Sequence, residues 1–598
     1  MTPPRYFEEI RSHAAARWDQ LEADPELAGP WHQLFRQVQS PRHVLSELLQ
    51  NADDAGATEA SAKIEDGTFI FTHNGEDFTE DHFRSLCRFG YSNKRTLHTI
   101  GFRGIGFKST FSLGDSVELR TSTINVRFHR SRFTEPVWSG PELLAGGSTE
   151  IRVGISDPNR LAEIEKNLGE WQQHPLALLF FRNLRSLSIG DMEFRWQSDG
   201  GGPVDGSEWF RSENGAARHL LVRSPEEHFP VEALEEIRQE RSLGSDESID
   251  LPPCRVELVL GAGGRLHVVL PTGVESHLPF ACNAPFIQDP ARVLIKEPST
   301  SPTNRWLLQR AGRLAAGTML RWLEQDSLPR EGRADAYALM PNVDREDASL
   351  EGTCGATVEL AFADRVEGQP VLLSCLGSLI TEEECSILPD ALFGVWGHAE
   401  LGNLFETTPL APEVSPGDRK KLLDWGLAKS LDRAAVAERL RSKAPAKPHG
   451  WERLFELWRY LSPDFMPFGG IRDEQELHLL PATGSPHLER TSELVRMRRE
   501  DSSLGAEDWE FLGRHLRVVD PGWPDFLKQE RKRAEESQSP KRLQACYHVE
   551  KVLDRLGFAG ASSGAILVNR VANSLFSTGN RVALVDAVRL AQIAARWK

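Results

Sequence analysis

Cysteine is sparse in this chain. Seven of 598 residues are Cys, standing singly at Cys87, Cys254, Cys282, Cys354, Cys375, Cys385 and Cys546, with no CxxC pair. That excludes a dithiol redox motif or a zinc ribbon and predicts buried, reduced thiols. No apolar run approaches the ~18 residues of a membrane span. The start, Met1-Thr2-Pro3-Pro4-Arg5, has no apolar signal core, so no membrane partner and a cytoplasmic location are expected. Positive charge is in deficit: 70 Lys and Arg against 87 Asp and Glu give −17. A general polyanion binder needs the opposite balance, so nucleic acid is not favoured as a partner. Tyrosine is scarce, five against fifteen Trp. The Trp residues are expected to anchor helical packing, not to stack on bases.

What the chain does have is length for several domains and strong patterning from residue 40 onward. Ser40 and Pro41 suit a helix start, Gly56 suits its end, and Val44, Leu45, Leu48, Leu49, Ala52 and Ala55 recur at helical spacing. Alternating Ala60, Ala62 and Ile64, then Asp66-Gly67, then Phe69 and Phe71 predict a hairpin. Thr79 can cap a short helix carrying Phe83 and Leu86. Residues 90–100 read as a polar loop, and a helix start is expected near Phe107. Strands are expected at Ser116–Thr121, Asn125–Phe128 and Thr149–Val153, strands again at Val256–Leu260 and Leu266–Leu270, and a helix over Asn304–Leu323. Farther on, 368–384 and 476–496 echo each other as a strand, a glycine turn and an acidic helix start. The helical pattern still running at Val582–Lys598 predicts a chain cut from something longer.

Three clusters carry chemistry. On the first patterned helix Glu47, Asn51 and Asp54 fall at i, i+4 and i+7, one face beside the apolar stripe. A carboxylate there can orient or deprotonate water, and an amide oxygen can serve the hard cation Mg2+. The second cluster is the strand exit His73-Asn74-Gly75. The third is Gly101-Phe102-Arg103-Gly104-Ile105-Gly106-Phe107-Lys108-Ser109, whose glycines let backbone N–H groups approach phosphate. It is neither a Walker A loop nor a convincing dinucleotide fingerprint.

In that order the clusters resemble the boxes of the GHKL ATPase superfamily, which includes Hsp90, DNA gyrase B, MutL, MORC proteins and histidine kinases. The Ala52-Asp53-Asp54-Ala55 ending and the Gly106-Phe107-Lys108-Ser109 string most resemble the sacsin-like, Hsp90-type branch. The resemblance covers about residues 35–185. It implies an α/β fold, the α+β sandwich of the Bergerat type, that binds ATP with Mg2+. It assigns Glu47 to water activation, Asn51 to Mg2+, and Asp54, His73, Asn74, Gly75 and Phe78 to the nucleotide pocket. Gly101, Phe102, Arg103, Gly104, Ile105, Gly106 and Phe107 would cradle phosphate, and Thr149, in Thr149-Glu150-Ile151, would lie near the adenine. Lys94 in a mobile lid and Lys108 are further phosphate candidates. One departure stands out. His73 occupies the place of the family's Asp, which accepts a hydrogen bond from the adenine amino group. A neutral imidazole can still accept through one nitrogen.

The organisation expected is an ATP-binding domain over 1–195 and an α+β, transducer-like domain over 196–345. A mixed α/β module over 346–490 and a mainly helical region over 491–598 follow. The second domain, which resembles its sacsin-like counterpart at 269–286, would lend a cation to the γ-phosphate, Arg292 being the best placed. The resemblance implies a slow ATPase working as a conformational switch on a protein client or partner subunit. An ATP-dependent homodimer and a chaperone-like role or one in bacterial defence or stress also follow from it. A nucleotide-holding scaffold without turnover and an ATP-gated DNA clamp are the rival readings.

Overall fold

The computed structural model describes residues 3–23, 41, 44–88, 107–144, 146–213, 217–240, 251–289, 293–462, 476–497, 507–508, 511, 517–556, 558–559, 572 and 584–596. The chain divides into two compact units, Met1–Gln325 with Ala336–Glu367, and Asp326–Asp335 with Gly368–Lys598.

In the first unit the strands are β1 Glu59–Glu65, β2 Thr68–His73, β3 Ser116–Arg120, β4 Asn125–His129, β5 Arg132–Trp138, β6 Thr149–Gly154 and β7 Ser186–Ile189. They continue as β8 Met192–Gly201, β9 Ser207–Ser212, β10 Arg218–Arg223, β11 Glu257–Leu260, β12 Arg265–Val268, β13 Leu270–Glu275 and β14 Phe280–Asn283. Among the described residues these fourteen form one sheet, ordered β13-β12-β14-β11-β10-β9-β8-β7-β1-β2-β6-β3-β4-β5. The long β8 pairs with β7 over its first residues and with β9 over its later ones. The division expected at 195/196 therefore falls inside a strand that carries the sheet onward.

Register follows from alternation. Ile64, Phe69, Val153 and Val117 form one cross-strand row, and Ala62, Phe71, Ile151 and Leu119 the next. All but Ile64 are buried. A one-residue slip would turn both rows to the opposite face, so burial holds the register. That opposite face carries charge, with Arg120 and Arg152 both near Glu150 at 3.8 and 3.6 Å. The hairpin turn uses Asp66 and Gly67 at φ 47° and 72°, as Asp-Gly predicts.

Helices α1 Phe7–Ala23, α2 Val44–Asp54, α3 Glu80–Leu86 and α4 Pro158–Gln173 contribute to the same core as these rows. Phe7 stacks on Phe83, and the buried Trp18 indole donates to Thr134 Oγ1 at 2.8 Å. Thr79 caps α3 as expected. The α2 stripe of Val44, Leu45, Leu48, Leu49 and Ala52 is fully buried, and Gly56 ends the helix region at φ 74°. The described helix runs from Val44, and Pro41 has 3-10 geometry; Ser40 and residues 42–43 lie outside the described residues. The helix expected at Phe107 is a six-residue 3-10 turn, Phe107–Ser112, buried from Lys108 onward.

Farther along are α5 Val231–Glu240, α6 Pro302–Leu323 and α7 Leu350–Val366. Ser301 caps α6, and the fully buried Asn304 fastens the loop that leads into it. Its amide oxygen accepts from Ile287 N–H at 2.7 Å, and its Nδ2 donates to the carbonyls of Ile287 and Lys296 at 2.8 Å each.

The second unit is built on hairpins and helices around a core that includes Trp396, Trp458 and Trp523, the packing anchors expected of tryptophan. The echoed segments are two copies of one arrangement. Leu372–Leu373 pairs with Leu379–Ile380 and His478–Pro481 with Leu488–Arg490, with left-handed Gly377 and Gly484 in the turns. Cys375 N–H donates to Pro409 O and Ala411 N–H to Leu373 O, as Thr483 does to Val518 and Asp520 to Pro481. The acidic segments that follow are turns, not α-helix starts: Glu382–Glu384 lies in a turn and Thr491–Glu493 in a 3-10 turn. All seven cysteines are buried and unpaired with one another.

Gly312 in α6 decides between two opposed effects. Alanine normally gains a helix about 1 kcal/mol over glycine. A Cβ here would sit 2.3 Å from the Val358 carbonyl oxygen of α7. Gly312→Ala is therefore expected to destabilise by ~1–3 kcal/mol, read as a lowered denaturation midpoint; an unchanged or raised midpoint would refute this packing.

Candidate functional site

The inner face of the sheet changes character at one end. After the two apolar rows comes a third: Leu187, Ala60, His73 and Thr149, on β7, β1, β2 and β6. His73 and Thr149, 76 positions apart in sequence, are direct cross-strand partners. Thr149 is 1% exposed, and its Oγ1 has no hydrogen-bond partner among the described residues. An unsatisfied buried hydroxyl costs stability and asks for a ligand or water. Burial lowers the His73 pKa to about 4, so its ring is neutral near pH 7.

The exit from β2 is clasped against the end of α2. Asn74 Oδ1 accepts from the N–H groups of Thr58 and Glu59 at 2.9 and 3.0 Å, and its Nδ2 donates to Thr58 Oγ1 at 2.8 Å. Glu76 N–H donates to Ala55 O at 2.8 Å. Gly75 is required by close approach, since a Cβ would meet that same Ala55 oxygen at 2.8 Å. The Asn74 side chain is thus committed to the turn. Phe78 packs against the core, and its N–H donates to Asp77 Oδ1 at 2.7 Å.

On α2 the polar trio lies off the buried stripe, with Glu47 and Asn51 half-buried and Asp54 exposed. Asp53, beside it, does structural work that the sequence reading missed. Its carboxylate accepts from the N–H groups of Arg182, Asn183 and Leu184 at 3.0, 2.7 and 2.9 Å. Two adjacent acids cannot share a helix face, and the structure decides which one faces the 182–184 segment.

Glu47 opens onto a cavity of about 330 Å3, lined also by Ser46, Asn167, Glu170, Arg265 and Gln288. Asn167 is 5% exposed, with its Oδ1 lacking a partner among the described residues. These wall residues were not singled out from sequence. The only available signal was an amide and an acid on α4 among buried Ile164, Leu168 and Trp171. Val293 lines the same cavity, its carbonyl accepting from Gly273 N–H at 2.7 Å. Arg292, Lys94, Gly101, Phe102, Arg103, Gly104, Ile105 and Gly106 lie outside the described residues.

Lys108 is buried, and its ammonium donates to Arg88 O at 2.8 Å and lies 5.6 Å from the Phe133 ring centroid. It ties residue 88 to the 3-10 turn. Desolvation lowers its pKa to about 8.

No family model matches the chain. Among curated proteins, Arabidopsis thaliana Protein NO VEIN is 36% identical over 92 residues, which is 14% of this chain and 3% of that protein. DNA mismatch repair protein MutL of Streptococcus agalactiae is 29% identical over 160 residues, 25% of this chain and 22% of MutL. Human sacsin is 29% identical over 102 residues, 14% of this chain and 2% of sacsin. The chain thus spans less than a quarter of each of these relatives. The solved ATPase region of Saccharomyces cerevisiae topoisomerase II aligns over 31% of this chain and 58% of that one, at 10% identity and a TM-score of 0.21. MutL and sacsin belong to the superfamily that the three boxes resemble. No described helix is long and apolar enough to cross a membrane.

The Lys108 shift has a sign that can be measured. Between pH 8 and 10.5 the unfolded chain holds a proton on this amine that the folded chain releases, so this group makes stability rise with pH across that window. Lys108→Met should remove that contribution and flatten the rise of stability with pH; an unchanged slope would show that the ammonium is not desolvated.

Proposed function

We propose that the first unit binds Mg-ATP and hydrolyses it slowly, as a conformational switch of the Hsp90 and sacsin-like type. The observation that carries this reading is the third row of the sheet. Two apolar rows end in a neutral imidazole and a partnerless buried hydroxyl, beside the helix that bears Glu47 and Asn51. A site built only for packing would have continued the apolar rows.

The donor set suits the group. A half-buried amide oxygen at Asn51 is a hard ligand of the kind Mg2+ takes alongside phosphate oxygens and water. Bound there, Mg2+ would supply neutralisation of phosphate charge. Thr149 Oγ1 would bond the base or a water on it. Asp54, exposed at the end of α2, would meet the pocket rim. Asn74, Gly75 and Phe78 would act through the turn, holding His73 in place. Glu47 would orient the attacking water and accept its proton. Gly101 to Phe107 would present backbone N–H groups to phosphate, with Lys94 and Arg103 as added cations. Arg292 would complete the charge around the γ-phosphate. Arg265 already stands on the wall of the Glu47 cavity. The second unit would engage the protein client or partner, and nucleotide would promote a homodimer. The chaperone-like or defence setting and the cytoplasmic location extend the same reading.

Two substitutions test it. Glu47→Ala should lower phosphate release by ~100-fold or more while nucleotide still binds; equal rates in mutant and wild type would defeat the catalytic assignment and leave a scaffold. Thr149→Val removes an unsatisfied hydroxyl at nearly constant shape. It should leave the melting temperature unchanged or higher yet weaken ATP binding by ~10-fold. A lower melting temperature with intact binding would assign Thr149 to the fold alone.

A further inference from the structure

The His73 ring can be assigned atom by atom. Its Nδ1 accepts the Gly75 N–H at 3.1 Å. An imidazole nitrogen that accepts carries no proton, so the ring proton of the neutral form is on Nε2. The bond is not incidental. Gly75 is held by the close approach to Ala55, and the residues on either side of it are tied by Asn74 to β1 and by Glu76 to Ala55 O. The accepting nitrogen that a histidine could have offered to a ligand is already used. What remains is an N–H donor, on the row shared with Thr149.

We infer that His73 makes this site read the 6-position of a purine nucleotide as an acceptor, so that a 6-oxopurine triphosphate is bound at least as well as ATP. The inference rests on the nucleotide reading above and specifies its base. An aspartate at this place would accept from a 6-amino group. Nε2–H of His73 instead donates, and it meets a 6-carbonyl. Facing a 6-amino group it would set donor against donor, leaving two polar groups without partners. Burial keeps the ring neutral at working pH, so Nδ1 stays free of a proton to accept the Gly75 N–H and Nε2–H remains the donor. Thr149 Oγ1, able to donate or accept, complements either base and does not blur the difference.

The test uses the full chain with Mg2+ and three nucleotides that differ at the 6-position: ATP, inosine triphosphate and purine riboside triphosphate. Wild type should bind inosine triphosphate as tightly as ATP or tighter, and loss of the 6-amino group in purine riboside triphosphate should leave binding unchanged or strengthen it. His73→Asp should favour ATP over both by ~10-fold or more. If wild type itself prefers ATP to both analogues by tenfold, the 6-amino group is being read. The inference then fails while the nucleotide site stands. Absence of binding by all three overturns the nucleotide reading and this inference with it. The wild-type comparison decides even if the variant does not fold.

Discussion

The antiparallel register of β2 on β6 is the constraint on which the rest of this site depends. It is set by two rows of buried aliphatic and aromatic side chains, Phe69 with Val153 and Phe71 with Ile151. Burying such side chains is worth roughly 1.5–3 kcal/mol each, and a slip would expose them all at once. Once those rows are in place the next pair is His73 with Thr149. Two polar residues from distant parts of the chain are brought together by hydrophobic residues that take no part in the chemistry.

Short polar side chains then do the precise positioning. Asn74 joins the β2 exit to the start of β1, Asp53 joins α2 to residues 182–184, and Asn304 fixes the loop that ends near the Glu47 cavity. Each satisfies two or more backbone groups that a buried turn would otherwise leave unpaired. Such contacts constrain orientation more tightly than apolar packing does, because hydrogen bonds weaken steeply away from their preferred angles. This accounts for the lopsided division of labour at the strand exit. Asn74 and Gly75 hold the turn, and the turn dictates the ring orientation of His73.

The second unit is organised on a different principle. A hairpin with a left-handed glycine, followed by a strand paired with a later segment, occurs twice with the same hydrogen bonds. Between and after the copies, helices bury tryptophans whose indoles fill a core that short two-residue strands could not cover.

Local patterns were legible from the residues themselves. Period-two alternation placed β1, β2, β3 and β6, the Asp66-Gly67 turn announced the hairpin, and helical spacing separated the buried stripe of α2 from Glu47, Asn51 and Asp54. The order of three boxes pointed to nucleotide chemistry. The short 3-10 turn at Phe107, the choice of Asp53 over Asp54 as the structural acid, and the commitment of Asn74 to the backbone were not legible. Each depends on a partner far away in sequence. The same holds for His73. Sequence established that a histidine stands where the superfamily that the boxes resemble has an acid, and left both ring nitrogens open. Only the folded chain, by pressing Gly75 against Ala55 and aiming its N–H at Nδ1, decided which nitrogen remained and so whether the site offers a donor or an acceptor.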